Sequence, residues 1–154
     1  MKNLSLEISN QHSKLRASDL VVSEIFRGLE SSGKFPISGG ELSIAFVDDA
    51  TIAKVHGDFM DDPTPTDVIT FPADPEMESA GEIVVSVDHA FERAKDFGEP
   101  FGRELALYLI HGWLHLAGYD DREEQDRKRM RAAEKEALAL FNESSIFGNL
   151  VYIT

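Results

Sequence analysis

The sequence predicts one α/β domain of the α+β kind over residues 1–154, with a roughly four-stranded mixed sheet packed by helices around a central buried helix. Three observations predict it. Four short segments with strand patterning lie among helical segments without strict alternation. Residues 101–117 are apolar on nearly all sides, and such a helix belongs in the middle of a small domain. No repeat and no linker divides the chain, and 154 residues suffice for a core of two packed layers.

The elements follow in order. LSLEISN (4–10) alternates apolar and polar residues and reads as a half-buried strand. Ser18-Asp19 opens a helix with Leu20, Val21, Ile25, Phe26 and Leu29 at helical spacing, and Gly33 ends it. After the loop at Pro36 and Gly39-Gly40, ELSIAFVDD (41–49) reads as a second strand. Capping aspartates then open a short helix that is expected to stop near Gly57. MDDPTPTD is irregular, because Pro63 and Pro65 break any ladder or helix. VITFP is a third strand, ADPEMESAGE a polar loop and IVVSV a fourth strand. Residues 88–97 form a helix punctuated by Gly98 and Pro100, and 101–117 form the central helix. The last helix, 122–142, is amphipathic: Met130, Ala133, Ala137, Leu138 and Phe141 face inward, and Glu123–Arg127 and Glu124–Lys128 pair on its wet side.

Composition excludes several classes. The formal charge is −13, from 28 acidic and 15 basic side chains, which opposes a general nucleic-acid coat but permits a local site for one phosphate. With no cysteine, any metal site must use nitrogen and oxygen ligands. No apolar run approaches the roughly 20 residues that span a bilayer, and the N-terminus lacks the apolar region of a signal peptide, so a cytoplasmic location is expected. P-loop, dinucleotide and Gly-x-Ser-x-Gly patterns are absent.

HGWLHLAGYDD (111–121) is the stretch that carries chemistry. His111 and His115 are four apart, one turn along one side of a helix, so one cation can reach both rings. Two imidazoles buried without partners would cost about 1–3 kcal/mol each, and a metal satisfies both. Gly118 falls where a residue at φ > 0 can end the helix and return the chain toward the histidines. Asp120 or Asp121 then offers an oxygen ligand, although each also has N-cap spacing to a glutamate of the next helix. Spacing alone does not divide the two roles.

HGWLHLAGYDD closely resembles the His-Gly-x-Leu-His-Leu-x-Gly-Tyr-Asp-His signature of the YbeY family of metal-dependent, ribosome-associated endoribonucleases. PTDVITFP (65–72) resembles that family's Pro-Thr-Asp-Val-Leu-Ser-Phe-Pro, and GEIVVSVDHA (81–90) its Gly-Asp-Ile-Val-Ile strand and following helix. The likeness covers roughly residues 41–140. It implies a zinc-binding α/β fold and a single-strand-specific endoribonuclease in maturation and quality control of small-subunit ribosomal RNA. The implied partners are ribosomal RNA, the small ribosomal subunit and its associated proteins; no membrane and no DNA partner is expected. By position, the resemblance makes His111, His115 and Asp121 the ligands of one Zn²⁺ per chain, with Asp121 where the family usually has His. Thr66 and Asp67, at the start of a strand, are expected in the wall of the substrate cleft. Met60 stands where an arginine is usual, and Asp62 and Thr64 where lysines are common. No catalytic general base is assigned.

Two other functions compete. A zinc peptidase shares the His-x-x-x-His spacing but needs a Glu after the first His, where this chain has Gly112. A non-catalytic ribosome-associated module with a structural zinc is the other, opposed by three protein ligands that leave a fourth position open. His56 and His89, in or beside polar helices, are expected to be solvent-exposed.

Overall fold

The structure, a computed structural model, describes residues 3–154. In chain order it runs β1 (Leu4–Asn10), β2 (Leu15–Arg16), α1 (Asp19–Ser32), β3 (Gly40–Val47), α2 (Asp49–Met60), β4 (Val68–Phe71), β5 (Ser79–Ser86), α3 (Val87–Phe97), α4 (Phe101–Leu116), α5 (Glu124–Ala139) and β6 (Val151–Tyr152). The main sheet has the order β1-β3-β5-β4, with β1, β3 and β5 parallel and β4 antiparallel to β5. The predicted α/β domain with a four-stranded mixed sheet is therefore present.

Alternation along the strands feeds two cores of unequal size. Leu42, Ile44 and Phe46 of β3, with Ile83 and Val85 of β5, face the larger one, which α1, α3, α4 and α5 complete. Val47, Ile69 and Val84 face the smaller one, covered by Ile52 and Val55 of α2. Because β5 is buried on both faces, IVV reads as a continuous apolar run. Across it lies α4, whose Leu105, Leu109, Ile110, Trp113 and Leu114 are fully or almost fully buried. A Cβ at Gly112 would stand 2.7 Å from Ile83 Cγ2, so glycine is what lets the backbone of α4 settle on β5.

A buried polar cluster ties β1, α2 and α3 together. His12, just past β1, has Nε2 2.7 Å from Asp88 Oδ1, and its Nδ1 accepts the Lys14 N–H at 3.1 Å. Asp88 Oδ2 accepts the Asp49 N–H at 2.9 Å, and the Ser86 hydroxyl donates to Asp49 Oδ1 at 2.7 Å. Ser86 also caps α3 by accepting the His89 N–H.

Several boundaries differ from the sequence reading. Helix α2 runs through Gly57 to Met60 and ends at Asp61 in the left-handed region, φ 54°. Pro63 folds back over Gly57, which supplies packing that the glycine itself lacks. Strand β5 begins at Ser79, inside the segment expected to be a polar loop, because pairing with β3 and the Asp74–Ser79 bridge extends it. Helix α5 starts at Glu124 and ends at Ala139, with Glu123 at the N-cap and no side-chain cap, so neither Asp120 nor Asp121 caps it. Lys128 reaches Glu124 at 3.9 Å, whereas Arg127 donates to the Arg122 carbonyl instead of pairing with Glu123. The two-residue strands β2 and β6 pair antiparallel apart from the main sheet. No helix among the described residues is long and apolar enough to cross a membrane.

Candidate metal centre

Helix α4 carries His111 and His115 on its last two turns, facing away from the buried apolar side. Its end is a Schellman turn: the Tyr119 N–H donates to the Leu114 carbonyl at 3.0 Å and the Gly118 N–H to His115 at 3.1 Å. Gly118 takes φ 102°, the conformation expected of it. Tyr119 then packs edge-on against Phe35, with ring centroids 6.1 Å apart, which anchors the chain as it doubles back. The returning segment sets Asp121 over the histidines, and the Asp120 carboxylate accepts the Asp121 N–H at 2.8 Å and stiffens the turn. Asp120 holds the turn, and neither aspartate opens α5.

Three donor atoms converge. His111 Nε2 and His115 Nε2 are 3.1 Å apart, and Asp121 Oδ2 lies 3.3 Å from the first and 3.4 Å from the second. A tetrahedral zinc with bonds of about 2.0–2.1 Å sets its donors about 3.3–3.4 Å apart, so the triangle has the size of one face of that tetrahedron. Two ring-nitrogen lone pairs at this separation repel unless a proton or cation lies between them. The nitrogen and oxygen donors suit a borderline cation, and the group could hold a metal ion.

Glu134 of α5 orients the first ligand. Its Oε2 lies 2.6 Å from His111 Nδ1, which keeps the proton there and aims the Nε2 lone pair at the site. Arg131 donates to Oε1 of the same carboxylate at 3.2 Å, so buried Glu134 is answered on both oxygens. Burial disfavours the His111 cation, but the Glu134 hydrogen bond and charge, with Asp121 and Asp67, outweigh it and hold the pKa above its ordinary value.

The group opens into a cleft of about 940 Å³ between β4 and helices α3, α4 and α5. Thr66 and Asp67 line it. The Asp67 carboxylate is pinned by the Val68 N–H at 2.7 Å and the Thr66 hydroxyl at 3.3 Å. His56 also lines the cleft and is half-buried rather than exposed, with Nδ1 2.9 Å from the Thr64 carbonyl that the proline loop presents. His89 is half-buried too, because its ring stands 6.0 Å from that of Tyr108.

The family described as Endoribonuclease YbeY has a model that matches residues 6–142. This chain belongs to the YbeY family. Among its relatives, Endoribonuclease YbeY of Bacillus thuringiensis (strain Al Hakam) is 39% identical over 115 residues, covering 67% of this chain and 74% of the relative. The YbeY protein of Bacillus anthracis (strain A0248) gives the same figures. The solution structure of TM1509 from Thermotoga maritima superposes with a TM-score of 0.65 at 28% identity, over 90% of this chain and 91% of that one.

Asp121, the position that departs from the resembled signature, places Oδ2 within 3.4 Å of both imidazole nitrogens. Met60 is half-exposed at the end of α2 and lines the cleft without charge. Positive charge enters from other elements instead, as Arg93 of α3, Arg122 of the α4–α5 turn and Arg131 of α5. Each has a carboxylate within 4.0 Å: Glu104, Asp120 and Glu134 respectively. Sequence reasoning missed Glu134. The signal was a glutamate four residues after Met130 and three before Ala137, on the buried face of α5.

Proposed function

We propose that the chain is an endoribonuclease that hydrolyses single-stranded RNA with one Zn²⁺ held by His111, His115 and Asp121. The observation that carries this reading is the triangle of donor atoms 3.1–3.4 Å on a side, open to a cleft of about 940 Å³. When bound, zinc would acidify a water in its open position and polarise a phosphoryl oxygen. The residues do the rest of the arranging. Glu134 fixes the tautomer and tilt of His111, and Arg131 holds Glu134. The negative charge of Asp121 offsets part of the cation's, which tempers the acidity that a neutral third ligand would give. Thr66 and pinned Asp67 form the wall opposite α4.

The biological setting we propose is maturation and quality control of small-subunit ribosomal RNA in the cytoplasm, with the small subunit and its proteins as partners. The peptidase reading loses its ground: a side chain at position 112 would run into Ile83, not toward the histidines. The structural-zinc reading draws on uncharged Met60 and on arginines that already face carboxylates. Cleavage of a single-stranded ribosomal RNA fragment decides between them. The enzyme reading expects cleavage that a chelator stops, that added zinc restores and that His111→Ala lacks. A protein that keeps one equivalent of zinc and leaves the RNA intact would support the structural role.

A further inference from the structure

The cleft extends from the metal group back along α4 to Glu104, and this second half has a different character. Tyr108 lies one turn before His111, is 4% exposed, and lines the cleft. Its hydroxyl is buried and, among the described residues, finds no hydrogen-bond partner. A buried hydroxyl left unpaired costs about 1–3 kcal/mol, so a native structure does not leave one on a cleft wall without cause. Glu104 is one turn further back on the same face, with its side chain 12% exposed and Arg93 Nε 3.5 Å from Oε2. Burial pushes the Tyr108 phenol up, and the charge of Glu104, the closeness of that carboxylate to the hydroxyl and the charge of Asp67 push it the same way, so the hydroxyl stays a donor that faces Glu104. At the rim, Phe97 is 66% exposed, with the Arg93 guanidinium 4.9 Å from its ring centre.

Phosphate does not suit this half, because Asp67, Glu99 and Glu104 line it. A second cation does not suit it either, since Arg93 already stands against Glu104. What fits is the neutral, hydrogen-bonding part of an RNA strand. We infer that Tyr108 and Glu104 form a nucleobase subsite beside the metal group, selective for guanine, with Phe97 as its stacking surface. Guanine's pairing edge places one acceptor, O6, beside two adjacent donors, N1–H and N2–H. Tyr108 donates to O6, and the Glu104 carboxylate accepts from the donor pair; no other RNA base offers two neighbouring N–H donors to one carboxylate. Unstacked bases of single-stranded RNA are read in this manner, by an aromatic face and by their pairing edges.

This subsite rests on the RNA-cleaving reading, but mononucleotide binding tests it without any cleavage. Zinc-loaded protein is titrated with guanosine, adenosine, cytidine and uridine monophosphates, followed by NMR shifts. Guanosine monophosphate is expected to bind about tenfold more tightly than the others, the size of one good edge contact. Tyr108→Phe and, separately, Glu104→Gln should each erase most of that preference at unchanged zinc content. Four equal affinities overturn the subsite, as does a Tyr108→Phe protein that keeps the preference or changes only in thermal stability. If Tyr108→Phe does not fold, Glu104→Gln alone decides by the same criterion. RNA cleavage by the wild type, assayed separately, distinguishes a failed subsite from a failed enzyme reading.

Discussion

His12 and His111 are both histidines held by a carboxylate, at 2.7 Å from Asp88 and 2.6 Å from Glu134, yet they do opposite work. Around His12 the chain answers both ring nitrogens, both oxygens of Asp88 and the Ser86 hydroxyl, and nothing is left to bind. Around His111 the chain answers only Nδ1 and turns Nε2 toward a second imidazole and a second carboxylate. A histidine–carboxylate pair is therefore not itself a sign of chemistry. The unanswered nitrogen is, when other donors converge on the point it faces.

The largest effects should separate the two clusters outright. His111→Ala is expected to take bound metal from about one equivalent to near zero, read by elemental analysis of chelator-free protein. His12→Ala should leave metal content alone and lower unfolding free energy by about 1–3 kcal/mol, since it removes a buried imidazole and its hydrogen bonds to Asp88 and Lys14. Equal metal loss in both would erase the distinction. Asp121 sharpens it from the side of the third donor. Asp121→Asn should lose metal with little change in metal-free stability, because position 121 does not cap α5, whereas Asp121→His should retain metal without loss of a cap. Metal kept by Asp121→Asn would remove the carboxylate from the site.

Glu134→Gln probes the orienting shell, and a loss of about 10–100-fold in metal affinity by competitive chelation is expected. The pH response follows from the raised pKa of His111. In metal-free protein its protonated form contributes stability in full below the ordinary 6.5, and this is lost as pH rises through the elevated folded value. Metal competes with that proton, so affinity should fall as pH drops below the same elevated value, with proton release on binding. An affinity flat across this window would contradict the assignment of His111. The smallest effect is expected at the uncharged end of the cleft, where Met60→Arg should steepen the salt dependence of RNA binding by about one unit.

The central helix, its two histidines and its glycine stop were legible because each rests on a local rule: an apolar run, a four-residue spacing, a left-handed terminus. The four main strands were legible for the same reason, apart from the start of β5, where Ser79, Gly81 and Glu82 owe their strand conformation to pairing with β3. What escaped depends on contacts distant in sequence. Glu134 reads as one more solvated acid until α5 is laid against α4. Tyr108 reads as apolar filler until the cleft opens beside it. The pair β2 and β6 joins residues near 15 to residues near 152, two at a time, and leaves no periodicity to find.

The Schellman turn at Gly118 has a bearing on the order of assembly. It gathers all three donor atoms from one segment, residues 111–121, so closing the site requires only a short loop with a small entropic cost. Glu134 belongs to the following helix and arrives later as the chain emerges from the ribosome. A cation can thus be captured by a nascent α4 and its turn before the orienting carboxylate exists, loosely at first, and tightened when α5 docks. Refolding with zinc present should accordingly show the metal-dependent phase ahead of the docking of α5, and Glu134→Gln should leave that early phase in place while weakening the final grip.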